Sequence, residues 1–550
     1  MQILSENLII HLKEGGTLTK PDSALIKESE FESFLPDPAN AWDQAHQLYS
    51  KLALSSEVDF IEPDIINELG QGFPNLKLEI ADTFHESFTD AQDLCLKKID
   101  YDLDWPSPVA GKKEVWHIQS AFSQLLEARE EVAQLLIQRS EKTIVRIAHF
   151  DTGYDRGHIT YPADLIRLDL QKNYTGDGDP DNAGDEGMGA NGGHGCGTLS
   201  VLAGGMYDND YGFKDTIGLS AAHGIEIVPV RIAHSVVLFK SRAFEKALEY
   251  VIGLHDDPSK RCHIITMSMG GAPTRNWARL VNKAYDLGIF IVTASGNNFG
   301  GVTPRTLVYP ARFNRVIAAC GATHDKTPYY KFDLLPHLKI MQGNYGPRRM
   351  MRTAVAAFTP NVPWARFGCE QKVDISGAGT SSATPQVAAA AALYYQKYFS
   401  DIEELQEGWQ KVEVIRKALF ASAGNGNSDD KELYFGNGTL RVADMLEIKP
   451  LSAGLVQEKE DSIFLPVLGL LADIVFSESF IKISDAEAEM YELEIQQLIL
   501  QSAELQQFLD YEEKQLETLS PEERTEFIMI IIGLPQASEA LKKFLAQMLA

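Results

Sequence analysis

No run in the 550 residues reaches the roughly 20 apolar positions that a membrane-spanning helix needs, so no membrane span is expected. Residues 1–7, Met-Gln-Ile-Leu-Ser-Glu-Asn, also lack the basic start and apolar stretch of a secretory signal. The most apolar candidate, residues 463–476, is short and carries Pro466 and Asp473, and it reads as buried structure. Cysteine is scarce: Cys95, Cys196, Cys262, Cys320 and Cys369 are odd in number, widely spaced and without a Cys-x-x-Cys pair. That pattern fits reduced thiols and a cytoplasmic location. Positive charge is also short, with 50 Lys and Arg against 77 Asp and Glu and a net charge of −27. Such a surface repels nucleic acid and anionic membranes, and neither is expected as a partner. Repeats and low-complexity tracts are absent. What remains, 44% hydrophobic and 23% charged residues over this length, is ordinary for a soluble globular protein of two or three domains.

Three blocks carry chemistry. Residues 377–385 read Gly-Ala-Gly-Thr-Ser-Ser-Ala-Thr-Pro and run into an apolar helix. Ser381 thus falls where loop becomes helix, beside unpaired backbone N–H groups able to hold a developing oxyanion. Residues 143–150 have the β-branched character of a buried strand and end in Asp151-Thr152-Gly153, a carboxylate at the strand end where open α/β sheets build sites. Residues 191–198, Asn-Gly-Gly-His-Gly-Cys-Gly-Thr, lead into a small-residue helix, and the glycines let backbone crowd around His194. Taken singly, each block has an ordinary explanation: a turn-capping Asp, a solvated His, a helix N-cap Ser.

Together, in the order Asp, His, Ser, these blocks resemble the subtilisin-like serine proteases, or subtilases of the peptidase S8 family. Residues 264–271, Ile-Ile-Thr-Met-Ser-Met-Gly-Gly, resemble the family's substrate-pairing strand and offer Ser268, Met269 and Gly270 for substrate binding. Residues 289–297 resemble the strand ending in the oxyanion-hole asparagine, here Asn297. Val308-Tyr309-Pro310-Ala311, residues 316–322 and residues 434–442 match later family segments. The resemblance covers about residues 116–446. It implies an α/β fold, a doubly wound and mostly parallel sheet with Asp151, His194 and Ser381 converging at one edge. It also implies a serine endopeptidase acting on polypeptide: Ser381 as nucleophile, His194 as general base and acid, Asp151 fixing the imidazole, and Asn297 with the Ser381 N–H as oxyanion hole. No cofactor is required for that chemistry. Val308 resembles the residue near the base of the pocket for the side chain preceding the scissile bond, which favours small or medium apolar side chains. The acidic residues 177–186 pull instead toward basic ones, and the sequence leaves the direction open.

Some positions depart from the family. Cys196 takes a threonine's place two residues after His194, as either a reactive thiol or a packing residue. The loop before Gly379-Thr380-Ser381 reads as short. Asp177-Gly178-Asp179-Pro180-Asp181 has alternate carboxylates, but Asn182 and Met188 at positions six and twelve argue against an EF-hand. A structural Ca²⁺ in a surface loop, with Asp164 or Asp208-Asn209-Asp210, stays open.

The flanks divide the chain into residues 1–115, an α+β propeptide-like or accessory domain with linker; 116–447, the catalytic domain; and 448–550, an acidic all-α module. In the first, residues 8–12 read as a strand, 38–53 as an amphipathic helix, and 58–64 resemble the last strand of subtilase inhibitory propeptides. Residues 451–550 hold 19 acidic against 6 basic residues. Ser484 and Ser520 begin helices by capping-box spacing, the first carrying Tyr491, Ile495, Leu498, Leu505 and Leu509; Gly533 ends the second, and 536–549 form a third. This module reads either as docked on the protease or as the site of a regulatory protein partner. The leading reading is an endopeptidase restrained by its N-terminal region; the alternative is a protease-fold regulatory or binding protein with vestigial hydrolysis. A third, a metal-dependent hydrolase built from His194, His158 and the acidic loop, lacks recognisable ligand spacing.

Overall fold

Apolar residues at strand and helix periods assemble the first unit of the computed structural model, which describes residues 2–12, 17–19, 41–52, 58–68, 95, 101–108, 115–186, 193–205, 218–236, 238–299, 306–331, 340–462, 483–509 and 519–549. Strand β1 (Gln2–Leu12) lies antiparallel between β2 (Thr17–Thr19) and β3 (Val58–Glu68). Helix α1 (Ala41–Leu52) turns Trp42, Ala45, Leu48 and Tyr49 onto Leu8, Ile10 and Phe60 of this sheet, as its 3.6-residue pattern requires.

The central body follows in chain order: α2 (Leu125–Gln138), β4 (Val145–Asp151), β5 (Lys172–Asn173), α3 (His194–Ala203), β6 (Ile225–Arg231), β7 (Ala233–Ser235), β8 (Leu238–Lys240) and α4 (Ser241–Gly253). Then come β9 (Ile264–Met267), α5 (Arg275–Asp286), β10 (Phe290–Ala294), β11 (Asn297–Phe299), β12 (Ile317–Ala322), β13 (Met341–Gly343), β14 (Ala354–Phe358), β15 (Val362–Ala365), β16 (Val373–Gly377) and α6 (Gly379–Lys397). Seven strands form one sheet in the order β14-β12-β10-β9-β4-β6-β5, all paired parallel. Both faces are covered. Val145 and Ile147 of β4 pack with residues of α2, α3 and α6, while Ala148 and Phe150 pack with those of α4 and α5. This is the doubly wound α/β fold expected. The chain leaves β4 for β6 on one side and returns through β9 on the other, so the carboxyl ends of β4 and β9 border a crevice at the point of reversal.

Between β14 and α6 the chain is not short, as expected, but folds back as the antiparallel hairpin β15–β16. Residues 373–376 had the look of a strand feeding α6; they are the second arm of that hairpin, and β14 is the sheet strand before it.

The N-terminal sheet joins the central body edge to edge. Ile66, Asn67 and Glu68 of β3 pair antiparallel with Lys240, Phe239 and Leu238 of β8, giving a five-stranded sheet β2-β1-β3-β8-β7. Two buried acids of β3 face the starts of two helices. Glu62 accepts from the Arg275 N–H at the start of α5 (3.1 Å) and pairs with His11 (2.7 Å), and Asp64 accepts from the backbone of Arg242 at the start of α4. Unpaired N–H groups and the helix dipole favour negative charge there.

Beyond the central body, Ser484 and Ser520 cap α7 (Asp485–Gln501) and α8 (Pro521–Gly533) in capping boxes with Glu487 and Glu523, and α9 (Glu539–Leu549) follows. Ser502 ends α7, so Leu505 falls in a separate short helical turn and Leu509 in the 3₁₀ turn after it, rather than on one continuous helix. The module is docked. Helix α7 packs Met490 and Leu493 into the core of the N-terminal unit and Leu500 into that of the central body. Gln497 accepts from Trp42 Nε1 (2.8 Å) and donates to the Pro273 carbonyl (3.1 Å), Glu494 pairs with His46 (3.0 Å), and Gln496 accepts from the Tyr309 hydroxyl (2.9 Å).

Cys95 and Cys369 form a disulfide, which corrects the expectation of reduced thiols; Cys196, Cys262 and Cys320 are free and buried. The partners are 274 residues apart, and Cys369 lies in the connection between β15 and β16. Residues 463–476, Met188 and residues 208–210 lie outside the described residues. Among the described residues no helix is long and apolar enough to cross a membrane.

Candidate active site

Strand β4 is buried along its whole length and delivers Asp151 to the edge of the crevice. Helix α3 starts at His194, whose Nδ1 lies 2.8 Å from Asp151 Oδ1. The turn between them is stitched by Asp185, which accepts from the Thr152 hydroxyl (2.5 Å) and the Gly193 N–H (2.9 Å), and Thr152 Oγ1 accepts from the Gly195 N–H (2.9 Å). The Trp364 ring and the His194 imidazole meet in a T-shaped contact, 5.5 Å between centroids. Burial pushes the Asp151 carboxyl up, but the charge and hydrogen bond of His194, joined by His149 and the Thr152 N–H, outweigh it and hold the group below its usual range. Asp151 is therefore ionised and can only accept.

Ser381 sits in the first turn of α6, where backbone N–H groups have no intrahelical acceptor. Pro385, four residues on, has no N–H to donate to the Ser381 carbonyl, and the Ser268 hydroxyl donates to it instead (3.0 Å). The Ser381 hydroxyl in turn donates to the Ser268 carbonyl at 3.3 Å. Gly379, at φ +69°, opens the helix in a conformation that costs other residues strain, and a Cβ there would lie 3.0 Å from Asn297 Nδ2. Asn297 is set by the β11–β13 pairing and by the Thr380 N–H, which donates to its Oδ1 at 2.9 Å. With its oxygen so engaged, its Nδ2 is the donor left over.

The residues expected to bind substrate line the same end of the sheet. Ser268 follows β9 and touches Ser381, as above. Met269 is buried in the core cluster that also holds Tyr309 and Phe313, so its side chain is not open to a ligand. Val308 fills the space above two glycines: a Cβ on Gly270 would stand 2.3 Å from its Cγ2, and one on Gly296 3.0 Å from its Cγ1. Cys196 is a packing residue, buried in α3, with burial foremost pushing its thiol up. His158 hydrogen-bonds Thr160 through Nδ1 and the Lys372 carbonyl through Nε2, so neither ring nitrogen is open to a metal. The acidic loop is locally paired: Asp177 with His234 (3.0 Å), Asp181 with Lys172, and Glu186 with Arg231 (3.4 Å). Among the described residues no group of three or more His, Cys, Asp or Glu side chains is arranged to hold a metal ion.

Sequence reasoning overlooked two residues here. Thr198 donates to Asp151 Oδ2 at 2.9 Å, and His149 Nε2 lies 2.9 Å from Thr198 Oγ1. Their spacing was the available signal: two residues before Asp151 on a strand, four after His194 on a helix.

The fold and this arrangement define a doubly wound α/β protein with an Asp–His pair and a helix-start serine at the carboxyl ends of its parallel strands. A model of the subtilase family matches residues 142–438, and the chain belongs to that family. It is 24% identical over 302 residues to subtilisin NAT of Bacillus subtilis subsp. natto and to subtilisin E of Bacillus subtilis (strain 168), covering 54% of this chain and 64% of each relative. Subtilisin DY of Bacillus licheniformis is 29% identical over 182 residues, 32% of this chain and 55% of its own length. The chain thus spans between half and two thirds of the length of these relatives.

Proposed function

We propose that the chain is a serine endopeptidase with Asp151, His194 and Ser381 as its triad and Asn297 in its oxyanion hole. The observation that carries the reading is the 2.8 Å hydrogen bond from His194 to a buried, ionised Asp151 beside the helix-start serine. Ser381 Oγ attacks the scissile carbonyl as its proton turns from the Ser268 carbonyl to His194 Nε2, and Asp151 stabilises the imidazolium formed. The Ser381 N–H and Asn297 Nδ2 donate to the tetrahedral oxyanion. Collapse breaks the C–N bond, the imidazolium protonates the leaving amine, and water, deprotonated by the same imidazole, releases the acyl group. An extended peptide pairs with the backbone of residues 268–270. With Val308 occupying the floor, the pocket before the scissile bond suits small or medium apolar side chains, and the local pairing of the acidic loop weakens the case for basic ones.

The N-terminal unit acts in this reading as an inhibitory propeptide. Support comes from the Glu62 and Asp64 contacts with α5 and α4 and from the pairing of β3 with β8. Helix α7 holds the unit in place, so release requires more than a cut in the linker. A reducing cytoplasm would not preserve Cys95–Cys369, and the pair favours an oxidising compartment over the cytoplasmic one expected. The proposed chemistry does not use a Ca²⁺.

Cleavage-site profiling of a peptide library tests the activity. Cuts after Ala, Val or similar residues by the wild-type protein, and none by Ser381→Ala, are expected. Equal cutting by both, or none by either once residues 1–115 are removed, overturns it.

A further inference from the structure

A buried imidazole that the triad mechanism does not use stands directly behind it. Residues two apart on a strand share a face, so His149 points to the same side of β4 as Asp151. Residues four apart on a helix lie one above the other, so Thr198 stands one turn beyond His194 on α3. Packing of α3 on β4 then forms one line: His149 Nε2 to Thr198 Oγ1 at 2.9 Å, Thr198 Oγ1 to Asp151 Oδ2 at 2.9 Å, and Asp151 Oδ1 to His194 Nδ1 at 2.8 Å. His149 is 3% exposed and Thr198 and Asp151 1% each, so bulk solvent does not reach the middle of the line.

Hydrogen counting gives the line a direction. An ionised carboxylate only accepts, so the Thr198 proton points at Asp151 Oδ2. The hydroxyl has a single proton and three takers within reach: Asp151 Oδ2, the Gly195 carbonyl at 3.3 Å, and His149 Nε2 if that nitrogen is bare. A proton on His149 Nε2 removes the last of these and occupies a Thr198 lone pair, and the charged Asp151 Oδ2 at 2.9 Å then takes the hydroxyl over the neutral Gly195 carbonyl at 3.3 Å. Burial foremost, and then His194, keep the His149 imidazole below its usual range against the pull of Asp151, so it carries one N–H. Its cross-strand neighbours, Pro229 and Thr266, do not titrate. Among the described residues, the charged or titratable groups about it are Asp151 on its own strand and His194 on α3, with Asp185 farther off at Thr152.

We propose that His149 and Thr198 are positioning residues: His149, protonated at Nε2, aims the Thr198 hydroxyl at Asp151 and so fixes the carboxylate that orients His194. The proposal rests on the endopeptidase reading above. Without the hydroxyl, the Asp151 carboxylate is less stabilised, the Asp151–His194 pair holds its proton more tightly, and the active unprotonated pair appears at higher pH.

The experiment measures, in the full chain, the rate of Ser381 labelling by a fluorophosphonate against pH, with kcat and KM on a cleaved peptide. Thr198→Val, nearly the same shape without the hydroxyl, is expected to label about tenfold more slowly at neutral pH, with its acid limb raised by about one pH unit and KM unchanged. Thr198→Ser, which keeps the hydroxyl, regains most of the rate and the original limb. His149→Leu, which takes the donor from the Thr198 oxygen but leaves its hydroxyl in place, moves the limb the same way by a smaller amount, and His149→Gln, whose amide can donate to Thr198, brings it back. If wild type labels while Thr198→Val matches it in rate and limb, the positioning role is refuted and the endopeptidase reading stands. Thr198→Ser as slow as Thr198→Val, or a rise in KM alone, also refutes it, and if Thr198→Val does not fold the two His149 variants decide by the same limb. Absence of Ser381-dependent labelling in wild type, both in the full chain and after residues 1–115 are removed, refutes the underlying reading and this proposal with it.

Discussion

Asp64→Asn removes a charge from a place where burial works against it. The carboxyl is 8% exposed in β3; one oxygen accepts from the Arg242 backbone, while the other, Oδ1, is buried without a partner. Burial first, then the nearby Glu245 charge, push its pKa from 3.8 to about 6. The docked N-terminal unit therefore binds a proton more tightly at Asp64 than the released unit does. The docked state gains from this group below the free carboxylate's range, loses the gain as pH rises toward 6, and above 6 carries the full cost of a buried charge. A shift of this size corresponds to about 2–3 kcal/mol at pH 8 and about 0.5 kcal/mol at pH 4. Asparagine keeps an acceptor for Arg242 and carries no charge, so Asp64→Asn should tighten docking by about 2 kcal/mol at pH 8 and hardly at all at pH 4. Hydrogen exchange of the β1 and β3 amides, compared between variant and wild type at each pH, reads the opening free energy of this unit. Equal protection at both pH values, or a variant that opens more readily at pH 8, would refute the reasoning.

Asn297→Ala should lower kcat by about 10²–10³-fold with little change in KM, because the side-chain donor acts on charge that develops only in the transition state; steady-state kinetics on a peptide substrate checks it. Val308→Ala deepens the pocket, and the ratio of kcat/KM for a Leu over an Ala substrate should rise by about tenfold. Alkylation of the native chain should leave Cys95, Cys369 and buried Cys196 unmodified, and reduction should expose the first two while Cys196 stays protected until unfolding, as peptide mass mapping would show.

Local chemistry made much of the candidate site legible. A β-branched run ending in Asp151, glycines around His194, and a Gly-Thr-Ser block entering a helix all state their geometry within a few residues. The capping boxes at Ser484 and Ser520 are legible for the same reason. What stayed hidden depends on packing between distant segments. The hairpin β15–β16 was hidden because residues 373–376 have the pattern of a strand, and only pairing with Val362 and its neighbours shows which strand. Disulfide partners 274 residues apart share no local pattern, and neither do Trp42 and Gln497. Thr198 and His149 fall between these cases: each has the right spacing from a recognised residue, but only the contact of α3 with β4 makes the spacings meet.

Intact mass of the chain after reaction with a fluorophosphonate, beside Ser381→Ala, tests the central claim most directly. One adduct on the wild-type protein, mapped to Ser381 and absent from the variant, is the predicted result, whether it forms on the whole chain or only after residues 1–115 are removed. A wild-type chain that stays unlabelled in both forms, or a Ser381→Ala variant that labels equally well, would contradict the account.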